Sequence, residues 1–269
     1  MSTLSVLKLG GSVLRDDASY AGAARFLHDR LAENQDERLV VIVSAEHGTT
    51  DRLLAEAQRI TGVREPEGAP PSEISKEALD LLWSTGELRS VALLTLHLQR
   101  IGTHAAPFNV HQTGLVAERG TGTAVRPLRL LAALGTTRIV IVPGFLGVSA
   151  GGTITSLGRG GSDLTAVLLA AAVRATACEL IKDVPGYFTA DPHRDTQARP
   201  IHHLSFDEAI VMADAGCDLV QRAALVAASA ASLPLVIRSM DAAAPVTHLR
   251  SQHHGVLDQD DSRRTAVGA

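Results

Sequence analysis

Aromatic side chains are scarce in this chain of 269 residues, with five Phe, two Tyr and one Trp making 3% of the total. Base-stacking platforms depend on such rings. A net charge of −4 and a pI near 6.2 add no general attraction to nucleic acid or to an anionic membrane, so neither is expected as a partner. Cysteine is rarer still: Cys178 and Cys217 stand far apart, without C-x-x-C or Cys/His metal spacing, so one disulfide is possible and none is needed at this length. Long hydrophobic runs are missing as well, because stretches such as Thr165 to Val173 stop at Arg174, short of a bilayer's width. Met1 to Gly11 lacks the basic, apolar and small-residue succession of a signal peptide. A reduced, cytoplasmic protein is the expectation.

Several catalytic signatures are also absent. No G-x-x-x-x-G-K-[ST] loop, no G-x-G-x-x-G run and no G-x-S-x-G elbow occurs, which removes the main signals of P-loop enzymes, protein kinases, dinucleotide-binding folds and serine hydrolases. The pairs His202-His203 and His253-His254 lack the i, i+4 spacing of a helical zinc site and read as surface residues. No metal-ligating set is assigned.

What is present is an ordinary globular balance, 45% hydrophobic and 20% charged, enough to bury a full core in one compact unit. Short Val/Ile/Leu runs alternate with longer amphipathic segments, the pattern of βαβ units around a mostly parallel sheet. Strands are expected at Leu4 to Leu9, Leu39 to Ser44, Arg138 to Val142, Glu179 to Lys182 and Pro234 to Ser239. Helices are expected at Ala18 to Glu33 behind Asp16 and Asp17, Asp51 to Ile60, Glu87 to Gln99, from a Ser162 cap to Val173, Ser205 to Ala215 and Gln221 to Ser232. Thr61 to Pro71 reads as a loop, Phe145 to Leu157 as a hairpin around Gly151-Gly152, and 252–269 as a frayed tail.

Four polar runs interrupt this scaffold. Lys8-Leu9-Gly10-Gly11-Ser12 ends the first strand with two glycines and an ammonium, suited to a phosphate but equally to a tight strand-to-helix turn. Ser44 to Asp51 lies past the second strand, where open α/β sheets bind ligands; the turn reads as ligand lining, or as a cap by Thr49 or Thr50, with no special role for His47. Gly158-Arg159-Gly160-Gly161-Ser162-Asp163 is the most specific, offering a guanidinium fork, open backbone N–H groups and a helix start; Asp163 cannot hold an anion itself and must organise donors or a metal. Lys182 to Gly186, with Asp191-Pro192 beyond, could hold a nucleotide or be a structural turn.

In this order the runs resemble the amino acid kinase family, and within it the catalytic domain of aspartokinases, from Val6 to about Leu249. Lys8 to Ser12 is similar to K-F-G-G-T and Ser44 to Asp51 to S-A-M-G-G-V-T-D. Gly86-Glu87 is similar to G-E, Val142 to Phe145 to V-P-G-F, and Leu157 to Asp163 to L-G-R-G-G-S-D. Asp183 to Pro192 is similar to D-V-D-G-V-Y-T-A-D-P, and Pro234 to Arg238 to P-L-x-V-R. The resemblance implies a three-layer α/β/α sandwich that transfers phosphate from ATP with Mg2+ to the side-chain carboxylate of aspartate or a close analogue. It implies an acceptor pocket of Thr50, Glu87, Phe145, Arg159 and Ser162, with Glu87 at the ammonium and Arg159 at the carboxylate. Lys8 and Asp163 would be catalytic. Gly10, Gly11, Ser12, Lys182, Asp183, Phe188, Asp191 and Arg194 would serve the nucleotide. It also implies one domain over 1–251, an acceptor lobe at 1–176, a nucleotide lobe at 177–251, and a homodimer. An acceptor hydroxyl, phosphate or phosphonate, or a non-catalytic binding subunit, is the alternative.

The sequence departs from that pattern at stated places. Asp218 stands where the family's G-A-K-V-L-H-P run has lysine, and Lys182 stands where Thr or Ser is usual, as if returning the charge from another direction. His193 replaces an arginine beside Arg194, and Glu46 and His47 replace apolar or glycine residues. With no ACT domain following the matched stretch, an unregulated or differently regulated enzyme is expected.

Overall fold

The computed structural model describes residues 3–62, 74–118, 122–158, 160–192 and 194–251. Most of the Thr61 to Pro71 loop and the tail at 252–269 fall outside them. In chain order the strands are β1 (Leu4–Leu9), β2 (Arg38–Val43), β3 (Ala106–Pro107), β4 (Leu115–Glu118), β5 (Gly122–Val125), β6 (Ile139–Pro143), β7 (Leu146–Val148), β8 (Ile154–Ser156), β9 (Cys178–Ile181), β10 (Tyr187–Phe188), β11 (Pro200–Ile201), β12 (His203–Ser205), β13 (Leu235–Arg238) and β14 (Thr247–Arg250). The helices are α1 (Asp17–Glu33), α2 (Thr49–Thr61), α3 (Lys76–Arg100), α4 (Leu128–Leu134), α5 (Gly161–Ala172), α6 (Phe206–Asp214) and α7 (Arg222–Ala230).

Eight strands form the central sheet in the order β12-β14-β13-β9-β1-β2-β6-β3, and every pairing except β13 with β14 is parallel. Such strands are covered on both faces, which explains their nearly unbroken apolar sequences. Side chains alternate between two cores. Val6, Val40, Ile42, Val140 and Leu180 pack with residues of α4, α5, α6 and α7, whereas Leu7, Leu9, Val41 and Ile141 pack under α1 and α3. The molecule is therefore an α/β/α sandwich. A four-stranded sheet, β5-β4-β7-β8, and the pair β10-β11 lie outside the main one.

The expected strands form, with ends displaced by about one residue. The Phe145 to Leu157 hairpin is present as antiparallel β7 and β8. Asp16 caps α1 by accepting from the Ser19 amide, with the Ser19 side chain answering in a capping box. The expected Ser162 cap fails, and so does the alternative of a Thr49 or Thr50 cap. Gly160, in the left-handed region at φ 73°, is the N-cap of α5, and Ser162 lies inside the first turn; likewise Gly48, not Thr49 or Thr50, precedes α2. The sharp turns made by glycine place the helices earlier than a hydroxyl cap would. The helix expected from Glu87 begins at Lys76, and its first three turns hide Asp80 and Ser84, polar residues that obscure the apolar period.

A half-buried ion-pair network ties α1 to the sheet. Arg30 donates to Glu37 at 2.8 and 2.9 Å and to Glu179 at 2.6 Å, while Arg238 lies 3.8 Å from the other Glu179 oxygen and over the Phe26 ring. Burial opposes the charge on Arg30, but the two carboxylates outweigh it and raise its pKa. Both cysteines are free, Cys178 buried within β9.

Candidate active site

Registers in the parallel sheet bring the ends of β1, β2, β6 and β9 to one edge, since Lys8 is level with Ile42 and Leu180, and Ile42 with Val142. The segments beyond these ends surround a cavity of about 890 Å3 lined by Lys8, Ser44, Thr50, Glu87, Phe145 and Asp163, among others. Open α/β sheets bind ligands at this edge because the strands stop there and their connections diverge.

Asp163, in the first turn of α5, accepts two ammonium groups. Lys8 Nζ is 2.9 Å from one carboxylate oxygen and Lys182 Nζ is 2.8 Å from the other. Asp163 is 3% exposed and Lys8 7%. Burial pushes the Asp163 carboxyl up, but Lys8 and then Lys182 outweigh it and hold the group at about 2. Lys182 is pulled down from the ordinary lysine value, first by burial and then by Lys8. Two ammonium groups thus share one buried carboxylate, an arrangement suited to an anionic ligand.

Glu87 projects from the middle of α3 into the same cavity at 3% exposure. Burial raises its pKa to about 8, against the Ala45 backbone donor and the nearby Lys8, and Oε2 has no hydrogen-bond partner. A buried carboxyl with an open acceptor is suited to receive an ammonium, which would bring it into its charged form. Phe145 packs edge-on against Trp83 at 5.5 Å and adopts a left-handed φ of 67°. That conformation carries the chain round directly after Gly144, where a Cβ would lie 2.8 Å from the Ser162 side chain. Gly160 is constrained more severely, since a Cβ there would lie 1.9 Å from Gln221 Cγ.

Thr50 and Ser162 line the cavity, and Arg159 lies outside the described residues. Of the residues expected at a nucleotide, Gly11 and Lys182 also line it. Gly10 packs against Lys8, a Cβ there meeting Lys8 Nζ at 3.0 Å. Ser12 donates to Asp183 at 2.9 Å, and Arg15 pairs with the same carboxylate at 3.3 Å. Phe188 sits half-buried in β10, while Asp191 and Arg194 pair with each other at 3.3 Å on the surface. Gly10, Ser12, Asp183, Phe188, Asp191 and Arg194 are not brought to the cavity wall.

Sequence reasoning missed Lys76, Trp83 and Ser156, which line the cavity, and Asp80, which is paired with Lys76. The one available signal was the i, i+4 pair Lys76/Asp80, hidden because that stretch was not read as helix. Asp218 lines the cavity and is exposed. Among the described residues no cluster of three or more His, Cys, Asp or Glu forms a metal cage, and no helix is long and apolar enough to cross a membrane.

The sheet and its charged cavity define a three-layer α/β protein with a lysine-bearing cavity at the carboxyl edge of its strands. Residues 3–239 match the amino acid kinase family, and the chain belongs to that family. It is similar to an aspartokinase of Thermus thermophilus, 37% identical over 241 residues, which are 88% of this chain and 56% of the relative. Aspartokinase 2 of Bacillus subtilis is 36% identical with the same shares. The chain thus spans a little over half the length of these relatives. Among solved structures, aspartate kinase from Synechocystis superposes with a TM-score of 0.79 at 30% identity, over 93% of this chain and 40% of that one. E. coli aspartokinase III in complex with aspartate and ADP gives 0.76 at 26%, over 93% and 65%. Uridylate kinase from Archaeoglobus fulgidus, 20% identical with a TM-score of 0.63, shares the fold.

Proposed function

We propose that this chain transfers the terminal phosphoryl group of ATP to the side-chain carboxylate of aspartate or a close analogue, giving an acyl phosphate and ADP. The observation that carries the reading is the Lys8–Asp163–Lys182 cluster facing Glu87 across one cavity. Glu87 receives the acceptor's ammonium, and Arg159, Thr50, Phe145 and Ser162 complete the pocket around the acceptor. Lys8 and Lys182 neutralise charge that builds on the moving phosphoryl oxygens, with Asp163 fixing both ammonium groups so that no reorganisation is needed during transfer. Such chemistry is positioning and electrostatics, in keeping with the lack of a nucleophile motif.

The donor set suits a triphosphate: Lys8, Lys182 and the glycines Gly11, Gly160 and Gly161 all line the cavity. Mg2+ would arrive with the phosphates and neutralise their oxygens, a mode that requires few protein carboxylates. Gly10, Ser12, Asp183, Phe188, Asp191 and Arg194 belong to the nucleotide side of this reading, in a carboxyl-terminal lobe at 177–251 facing an acceptor lobe at 1–176. A cytoplasmic homodimer is part of the same proposal and rests on the family resemblance.

Purified protein incubated with ATP, Mg2+ and L-aspartate is expected to release ADP in a coupled assay and, with hydroxylamine, to yield aspartyl hydroxamate. ADP release without hydroxamate would redirect the reading to a hydroxyl, phosphate or phosphonate acceptor. Binding of aspartate without ADP release would make the chain a non-catalytic subunit.

A further inference from the structure

We propose that Trp83 is a specificity-determining residue of the acceptor subsite, an aromatic wall that limits the length of acceptor chain the cavity admits; the proposal rests on the acceptor reading above. Trp83 is half-buried on α3 and lines the cavity one turn before Glu87, about 6 Å of helical rise away, so the two side chains share one face. Its indole touches two further residues of the acceptor pocket. The ring packs edge-on against Phe145 at 5.5 Å, and Nε1 donates to the Thr50 carbonyl at 3.3 Å. With both its ring and its N–H partnered, the indole is held in one orientation.

The indole also belongs to an apolar neighbourhood. With Leu54 and Leu82 it packs against a small cluster of Ala57, Ile74 and Leu79, separate from the two cores of the sheet. Leu54, Ile74 and Leu79 line the cavity as well. Trp83 therefore stands where the charged part of the cavity, with Glu87, meets its apolar part. The backbone fixes that boundary: at Gly86, α3 lies so close to the start of α2 that a Cβ would be 2.9 Å from Thr49 Cγ2 and 3.2 Å from Ala45 Cβ. The elements that carry Trp83 and Thr50 are thus locked together.

Acceptor length follows from the two ends. Lys8 and Lys182 meet the carboxylate that takes the phosphoryl group, and Glu87 meets the ammonium, so charge fixes both ends of the acceptor. An added methylene must then press the middle of the chain against the wall beside Glu87, which is the indole and the Phe145 ring. A smaller apolar side chain at this position would give the methylene room against Leu54, Ile74 and Leu79. One methylene in an apolar pocket typically changes discrimination by about tenfold or more. A purely structural role, as filler of the small apolar cluster, is the competing account. Trp83 is the only tryptophan in the chain, so its emission reports on this place alone.

In the full chain without nucleotide, L-aspartate is expected to change Trp83 emission saturably, at the Kd that calorimetry gives, and to protect the indole from quenching by acrylamide. Trp83→Leu should shift the preference between L-glutamate and L-aspartate about tenfold toward glutamate, read as Kd by calorimetry and as kcat/KM by ADP release, whereas Trp83→Phe should keep it within about twofold of wild type. Heat of aspartate binding with silent, unprotected emission would overturn the proposal. A Trp83→Leu variant with lowered Tm and equal losses for both acceptors would overturn it in favour of a structural filler. Should Trp83→Leu fail to fold, Trp83→Met fills the apolar cluster with an unbranched chain and carries the same comparison. Aspartate binding without ADP release would sink the kinase reading while the binding ratio still judged Trp83; wild-type protein that gives no heat with either amino acid would overturn both.

Discussion

Two charge clusters, one half-buried and one buried, sit on the same sheet, and they are built differently. Around Arg30, the ion pairs match two guanidinium groups, Arg30 and Arg238, with two carboxylates, Glu37 and Glu179. Around Asp163, two ammonium groups share one carboxylate. The Arg30 set lies away from the strand ends that form the cavity. The Asp163 set opens into it, beside a carboxyl that burial keeps protonated to about pH 8. The Arg30 set fastens α1 to the sheet, whereas the Asp163 set turns two ammonium groups toward the cavity on which the proposed chemistry rests.

That contrast is broken most directly at the shared carboxylate. Asp163→Asn leaves two buried lysines facing each other, and denaturant unfolding should lose about 3–5 kcal/mol while ADP release falls at least about a hundredfold. Acid acts the same way. Asp163 is held at about 2, below its ordinary 3.8, so its contribution to stability is present above that ordinary value and is lost as pH falls through about 2.

The next largest effect separates the clusters. Arg30→Met should cost about 3–5 kcal/mol in the same unfolding measurement, with turnover per folded molecule within about twofold. Lys8→Met should do the reverse, leaving a neutral Lys182–Asp163 pair with nearly unchanged stability and ADP release reduced roughly a hundred- to thousandfold. If both variants lost stability equally, the distinction between the clusters would collapse.

A smaller effect sharpens the acceptor side. Glu87 must release its proton to receive an ammonium, so aspartate affinity should rise about tenfold between pH 6.5 and 8 by calorimetry, with a proton released on binding. Glu87→Gln should bind weakly and show no such slope. Its folded state should also lose the destabilisation that wild type acquires as pH rises from 4.5 through about 8, because only the wild-type carboxyl has a proton to give up. The smallest change is expected at exposed Asp218: Asp218→Lys should tighten ATP binding several-fold, more at low salt than at high.

Much of this was written in the sequence where physics forces a choice of residue. Strands covered on both faces must be apolar, so β1, β2, β6, β9 and β13 could be read within a residue or so. Gly144 and Gly160 are demanded by contacts that no side chain survives, and the runs containing them stood out. What stayed hidden had weaker local signals. The short β4, β5, β10 and β11 run for only two to four residues each, too few for a period to announce them. The first half of α3 conceals Asp80 and Ser84 on its inner face, which broke the amphipathic pattern and with it any view of Lys76 and Trp83. Ser162 looked like a cap because serine commonly is one, although the left-handed Gly160 had already ended the turn.

The contact between Gly160 and Gln221 has a mechanical side. The first residue before α5, which carries Asp163, bears directly on the residue before α7, three positions from Asp218. There is no slack at that seam, since not even a methyl group fits. A shift of the segment around Asp218 would therefore be passed to the helix that aims the two lysines.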